Sequence, residues 1–302
     1  MKQLLFFAFL LLLAESVHGS EISVPAKVSQ GRAFLVSVSD TSSFRAVIRW
    51  RGEDVSMEGI PVKDLQNQWK AEALLAMPVD ARGRHSLSLS INGEEKTFFV
   101  EAVSVPWTKS ILSVAPVYAE PPARVKEQIL RDSRQSRKAL SIRSEKRWEL
   151  PLQRPVPGGV TSAFGSRRVF NGKPRAPHKG TDMRCAEGTN VLAAAEGIVV
   201  LAEKQYFGGN TVYIDHGQGV FSTYSHLSTF DVSAGQRVRR GQIIGRSGST
   251  GRVTGPHLHF GFMVQGTAAD AVPLFRTPLE SVGGPSPILK SPTQPVQKKR
   301  SQ

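Results

Sequence analysis

Between Pro151 and Leu279 glycine interrupts the chain so often that no long helix has room to form. Glycine in a helix interior costs about 1 kcal/mol relative to alanine, and it marks turns and close backbone approaches instead. The runs left between the glycines are short: NVLAAAEGIVVLAEK, NTVYID, GVFSTYSHL, QRVRRGQIIGRSG and PHLHFGFMV. They are rich in β-branched and aromatic residues, the composition of strands joined by tight turns. This segment, residues 151–281, predicts a compact antiparallel β domain.

Residues 20–106 carry a different β signal. AFLVSVSD and HSLSLSI alternate apolar and polar residues with period two, as half-buried strands do. Asn92-Gly93 stands between HSLSLSI and KTFFVEAVSV, the strongest short-range hairpin signal. The expectation is a small N-terminal β-sandwich, with only the solitary His85 as a chemical group and no catalytic constellation. Residues 107–150 change character. Two prolines open PPARVKEQILRDSRQSRKALSIRSEKRW, and neither proline nor glycine follows before Pro151. Val125, Ile129 and Leu140 share a face, but Ser133 and Ser136 interrupt it, so the stripe is weak. A connecting helix is predicted. The fold class is thus mainly β: sandwich, helical linker, β domain.

The ends of the chain bear on where it works. Residues 1–19 join an early lysine to an apolar run from Leu4 to Ala14, with Val17 and Gly19 placed before a cleavage point at Ser20. That run is shorter than the ~20 residues of a membrane-spanning helix and reads as a signal peptide, with an uncleaved anchor as the alternative. No cysteine lies near the cleavage point for lipid attachment, and no later segment is apolar enough to span a membrane. Export to the periplasm or cell envelope follows. The formal charge of +14 would suit nucleic acid, but export points instead to an anionic envelope surface. Part of the excess belongs to residues 282–302, a tail rich in Pro, Ser and Gln with Lys290, Lys298, Lys299 and Arg300, which is expected to be disordered. The single cysteine, Cys185, excludes an intramolecular disulfide. It reads as a small buried hydrophobe, not a metal ligand.

The histidines carry the chemistry. Of seven, one belongs to the leader, and five of the other six fall between His178 and His259. In GPHLHF, His257 and His259 are two apart, so on a strand they project from one face and Leu258 from the other. In PHKGTDM, His178 and Asp182 form an HxxxD arrangement. Pro177 and Gly180 exclude a helix there and predict a loop entering a strand. Two histidines and one carboxylate suit a catalytic zinc, which takes three protein ligands and keeps a fourth position open. No HExxH helix exists, so a further histidine is the natural proton carrier. His216, in IDHGQG, is expected at a hairpin turn with a structural hydrogen bond. GRSGSTGRVTG lacks the spacing of a phosphate loop and reads as the turn that delivers the HxH strand.

SAFGSRR, HKGTD, YSHLS and GPHLHFG, in that order, resemble the lysostaphin-type (LytM-domain) zinc metallopeptidases, which cut peptide cross-links of bacterial cell walls. RRVFNGKPRAPHKGTD is similar to envelope members that carry an N-terminal β domain. The resemblance implies a β core of duplicated hybrid motif (barrel-sandwich hybrid) type over residues 151–281. It implies zinc held by His178, Asp182 and His259, with His226 and His257 flanking the reacting water and carbonyl. It implies an endopeptidase acting on peptidoglycan. Two other readings are a non-enzymatic wall-binding module that activates another hydrolase and a secreted protease of extracellular proteins. The intact ligand and histidine set argues for the enzyme, and no carboxylate pair stands out for glycosidase work.

Overall fold

The computed structural model describes residues 12–17, 19–65 and 67–275. Most of the expected signal peptide and the whole basic tail lie outside the described residues. The described part of the leader, Leu12–Val17, forms an edge strand against Ser20–Pro25. The chain is mainly β, and no helix among the described residues is long and apolar enough to cross a membrane.

Residues 20–103 build two facing sheets. One carries Ser20–Pro25, Ala33–Asp40 and Trp69–Ala76, and the other carries Glu94–Val103, Gly83–Ile91 and Arg45–Trp50. Period-two patterning decides which side chains meet. In Arg45–Trp50, Ala46, Ile48 and Trp50 are buried and the residues between them exposed. They pack with Ile22, Val36, Leu75, Leu87 and Val100 in one core. Asn92 and Gly93 both take positive φ, +48° and +95°, and Ile91 pairs with Glu94 across the turn. That is the tight hairpin the Asn-Gly pair predicts.

The connecting helix is shorter than its segment, running Lys126–Leu140. Its inner face is polar: Asp132 accepts the Tyr206 backbone N–H at 2.6 Å, and Ser136 takes hydrogen bonds from Gln205 and with Tyr213. Polar docking explains the weak apolar stripe. Before the helix, Lys109–Leu112 adds in parallel to Arg167–Phe170. After it, Arg147 and Trp148 donate backbone N–H groups to the His216 carbonyl, and Trp148 is buried in the second core.

The large C-terminal sheet is antiparallel in the order Val160–Ser162, Gly180–Arg184, His257–Val264, Val220–Phe230, Gly209–Asp215, Gly197–Gln205 and Arg237–Val238. Ile243–Ser247 pairs both with Asn190–Leu192 and with Val220–Phe230, which folds the sheet over its core. The core includes Ala33, Leu74 and Ala76 from the first unit. A buried ion pair, Arg32 to Asp270 at 2.9 Å, joins the two halves beside it.

His216 is fully buried, its Nδ1 2.7 Å from the Glu196 carbonyl and its Nε2 2.7 Å from Ser222 Oγ. Ser222 in turn bonds Tyr224, whose hydroxyl accepts the Ala194 N–H. Burial pushes the imidazole down from 6.5 to about 4. The native state excludes a proton that the unfolded chain binds, so stability present above pH 6.5 is lost as pH falls toward 4. The full loss attributable to His216 is about 3 kcal/mol. Urea denaturation of metal-free protein should show one more proton of acid-limb slope in wild type than in His216→Gln. Equal slopes would contradict the assignment.

Candidate metal centre

The strand Gly180–Arg184 lies antiparallel to His257–Val264, with Asp182 opposite His259 and Arg184 opposite His257. Cross-strand partners project from the same face. Leu258 points the other way into the core and is fully buried, a contribution of about 1.5–3 kcal/mol that holds the HxH register. His178 sits in the loop just before Gly180–Arg184, its backbone N–H donating to the Ser166 carbonyl.

Three donor atoms converge. His178 Nε2 lies 3.1 Å from Asp182 Oδ1 and 3.0 Å from His259 Nδ1, and His259 Nδ1 lies 2.8 Å from the same carboxylate oxygen. Adjacent corners of a tetrahedral zinc site with ligands at about 2.0–2.1 Å are separated by roughly 3.3 Å, close to this triangle. Protons alone do not satisfy it. His178 Nδ1 is 3.1 Å from the Ala163 carbonyl, which only accepts, so the neutral ring carries its proton there and turns the Nε2 lone pair inward. Two nitrogens and a carboxylate oxygen then face one point, a donor set that fits a divalent zinc. Burial pushes His178 down to about 4, with the Asp182 contact offsetting only part, so the ring is neutral at pH 7. Burial acts to raise the Asp182 pKa, but the adjacent His178 and His259 imidazoles outweigh it and keep the carboxyl ionised.

Two supports were not visible in the sequence. Arg168 donates through an Nη to the outer oxygen of Asp182 at 3.0 Å. Gly180 lies under the His259 ring, where an added Cβ would stand 2.6 Å from His259 Cε1 and 2.6 Å from the Phe260 carbonyl. Arg168 lay in the quoted SAFGSRR and Gly180 in HKGTD, but neither stretch carries a periodicity that says what the side chain or its absence touches.

His226 reaches the site through a bulge. Tyr224 pairs with Val212 and Leu227 with Asn210, so Ser225 and His226 share one place opposite Thr211. His226 takes φ +67°, which re-aims its ring. The ring lies 4.9 Å from that of His257 and 6.0 Å from that of His259, centroid to centroid. Its Nδ1 donates to the Thr250 carbonyl at 2.8 Å, and burial, with His259 and His257 adding to it, pushes the group down to about 3. His257 Nδ1 is likewise fixed, 2.9 Å from the Gly255 carbonyl, and its Nε2 stands 3.8 Å from Asp182 Oδ1. The GRSGSTGRVTG turn therefore does more than deliver the strand: it orients His226. His226, His257, His259 and Asp182 line one cavity of about 280 Å³. Cys185 is half-buried against the core and outside the cluster.

Residues 176–271 match the profile of Peptidase family M23. Over 114 residues the chain is 45% identical to the peptidoglycan DD-endopeptidase ShyA of Vibrio cholerae serotype O1, covering 37% of this chain and 26% of that protein. Over 106 residues it is 43% identical to the glycyl-glycine endopeptidase ALE-1 of Staphylococcus capitis, covering 33% and 29%. The chain thus spans less than a third of the length of these curated relatives. A Pseudomonas aeruginosa crystal structure, solved as a candidate peptidase M23, superposes with a TM-score of 0.63 at 28% identity, over 82% of this chain and 94% of that one. Residues 176–271 thus carry a Peptidase family M23 domain.

Replacing Gly180 with Ala should push His259 aside and weaken zinc binding about 10–100-fold, the range for a lost outer support. Arg168→Met should do the same through Asp182. Competition with a chromogenic chelator measures both, and unchanged affinity in folded variants would remove these residues from the centre.

Proposed function

We propose that this chain is an exported zinc-dependent endopeptidase that hydrolyses peptide cross-links of bacterial peptidoglycan. The observation that carries the reading is the donor triangle of His178, Asp182 and His259 with two further imidazoles on its open side. In this reading His178, Asp182 and His259 hold the metal, and His226 and His257 are catalytic. Zinc, when bound, supplies a Lewis acid that polarises an amide carbonyl and makes water nucleophilic near neutral pH. The remaining work falls to the chain. His226 and His257 each tie Nδ1–H to a backbone carbonyl, which fixes the tautomer and leaves Nε2 as the working nitrogen. A neutral Nε2 can take a proton from the attacking water or, once protonated, pass it to the departing amine. Arg168 holds the carboxylate of Asp182 in place throughout.

The domain division proposed with this reading sets a sandwich at 20–106, a helical linker at 107–150 and the peptidase at 151–281. The named activity of ShyA, peptidoglycan DD-endopeptidase, concerns the cell wall, and it supports placement in the periplasm or envelope. The basic charge suits dwelling on an anionic wall, so binding to wall material should weaken as salt rises.

Asp182→Ala and His259→Ala should lose zinc and activity together. His226→Ala and His257→Ala should keep zinc while turnover falls about 10²–10⁴-fold. Zinc loss in His257→Ala with retention in His259→Ala would reverse the two roles. Digested murein should yield muropeptide monomers from dimers with intact sugars, and a chelator should stop the reaction. Free disaccharides, or stem peptides released whole, would mean a different enzyme class.

A further inference from the structure

The cavity lined by Asp182, His226, His257 and His259 has a second chemical feature. Arg252 lines it together with Arg168, Phe170 and Phe207. The Arg252 guanidinium carbon stands 4.6 Å from the Phe207 ring centroid and 5.1 Å from that of Phe170. Two aromatic faces clamp the cation and fix a long side chain that would otherwise be mobile, while the N–H edge of the guanidinium is not consumed by stacking. The Arg252 backbone N–H donates to the Phe207 carbonyl, which anchors the turn at the same place.

No carboxylate among the described residues forms an ion pair with Arg252, and the charges acting on it are Arg168 and Arg175, both cations. Arg168 commits one Nη to Asp182, and its buried Nε–H has no acceptor. Half-burying a guanidinium among like charges is unfavourable without an anion. The surroundings of Arg252 are thus an anion site built into the wall of the reaction cavity.

We propose that Arg252, clamped between Phe170 and Phe207, binds a free carboxylate of the substrate beside the scissile amide. The proposal rests on the endopeptidase reading and narrows it. The two cross-link chemistries differ at this point. In a D-alanyl–diamino acid cross-link, the amide nitrogen is carried by a carbon that also bears a carboxyl group. In a polyglycine bridge the same nitrogen leads to a methylene and a neutral amide. A cation preorganised in the cavity selects the first, because a charge-assisted, forked Arg–carboxylate contact has no counterpart in the second. Amidation of that carboxyl should likewise weaken recognition.

The test uses the full chain with zinc and two soluble cross-linked peptides, identical except for a free carboxylate or a carboxamide on the carbon bearing the scissile nitrogen. Wild type should cleave the free acid about 10- to 100-fold better in kcat/KM. In Arg252→Gln, with zinc content and melting temperature checked, the ratio should fall to near one through loss on the free acid. The wild-type comparison stands even if the variant fails to fold. Equal wild-type rates on both peptides, or a preference retained in folded Arg252→Gln, would overturn the carboxylate site and leave the endopeptidase reading intact. Cleavage of neither peptide would overturn both.

Discussion

The pairing of Gly180–Arg184 with His257–Val264 is the constraint on which the site depends. It sets Asp182 opposite His259 and brings the loop histidine, His178, to the same point. A slip of one residue would turn His257 and His259 into the core and Leu258 out to the cavity. The buried side chains of Leu258, Phe260, Phe262 and Val264 resist that slip, since all of them are 1% exposed or less. Packing on one face of the strand therefore secures the chemistry on the other. In the proposed reading, a bound cation offsets the cost of gathering three ligand atoms within 3.1 Å of one another.

Around this triangle the chain adds fixed supports. Carbonyls of Ala163, Thr250 and Gly255 take the Nδ1 protons of His178, His226 and His257. Each of these carbonyls lies on a loop or turn rather than in a regular strand, so irregular backbone does the orienting while the sheet does the placing. His226 pays for its position with a left-handed backbone conformation inside a bulge. The N-terminal unit reaches this framework from the far side, through Arg32 to Asp270 and through Gln265, whose side chain donates to the Leu74 carbonyl.

Features governed by local periodicity were legible in the sequence. The two faces of the HxH strand, the Asn92-Gly93 hairpin, the loop-to-strand setting of His178 and the hydrogen-bonded role of His216 all follow from residue types within a few positions of one another. Features that depend on one polar group meeting another far along the chain were not. The Arg168 contact to Asp182, the ring of His259 resting on Gly180 and the clamp on Arg252 by Phe170 and Phe207 bring together residues 14 or more positions apart. The helix is a similar case. Its bounds, Lys126–Leu140, are not marked in the sequence, because Asp132 and Ser136 dock it by hydrogen bonds and leave no apolar stripe.

The central claim is that two imidazoles and one carboxylate, with no sulfur, form the metal centre. Zinc K-edge X-ray absorption on the purified full chain tests this most directly. The account predicts one zinc per chain, two imidazole scattering patterns, and only nitrogen and oxygen ligands at about 2.0–2.1 Å. A sulfur shell near about 2.3 Å, which only Cys185 or a methionine could supply, would contradict it, as would zinc that binds equally well once Asp182 is replaced by Ala.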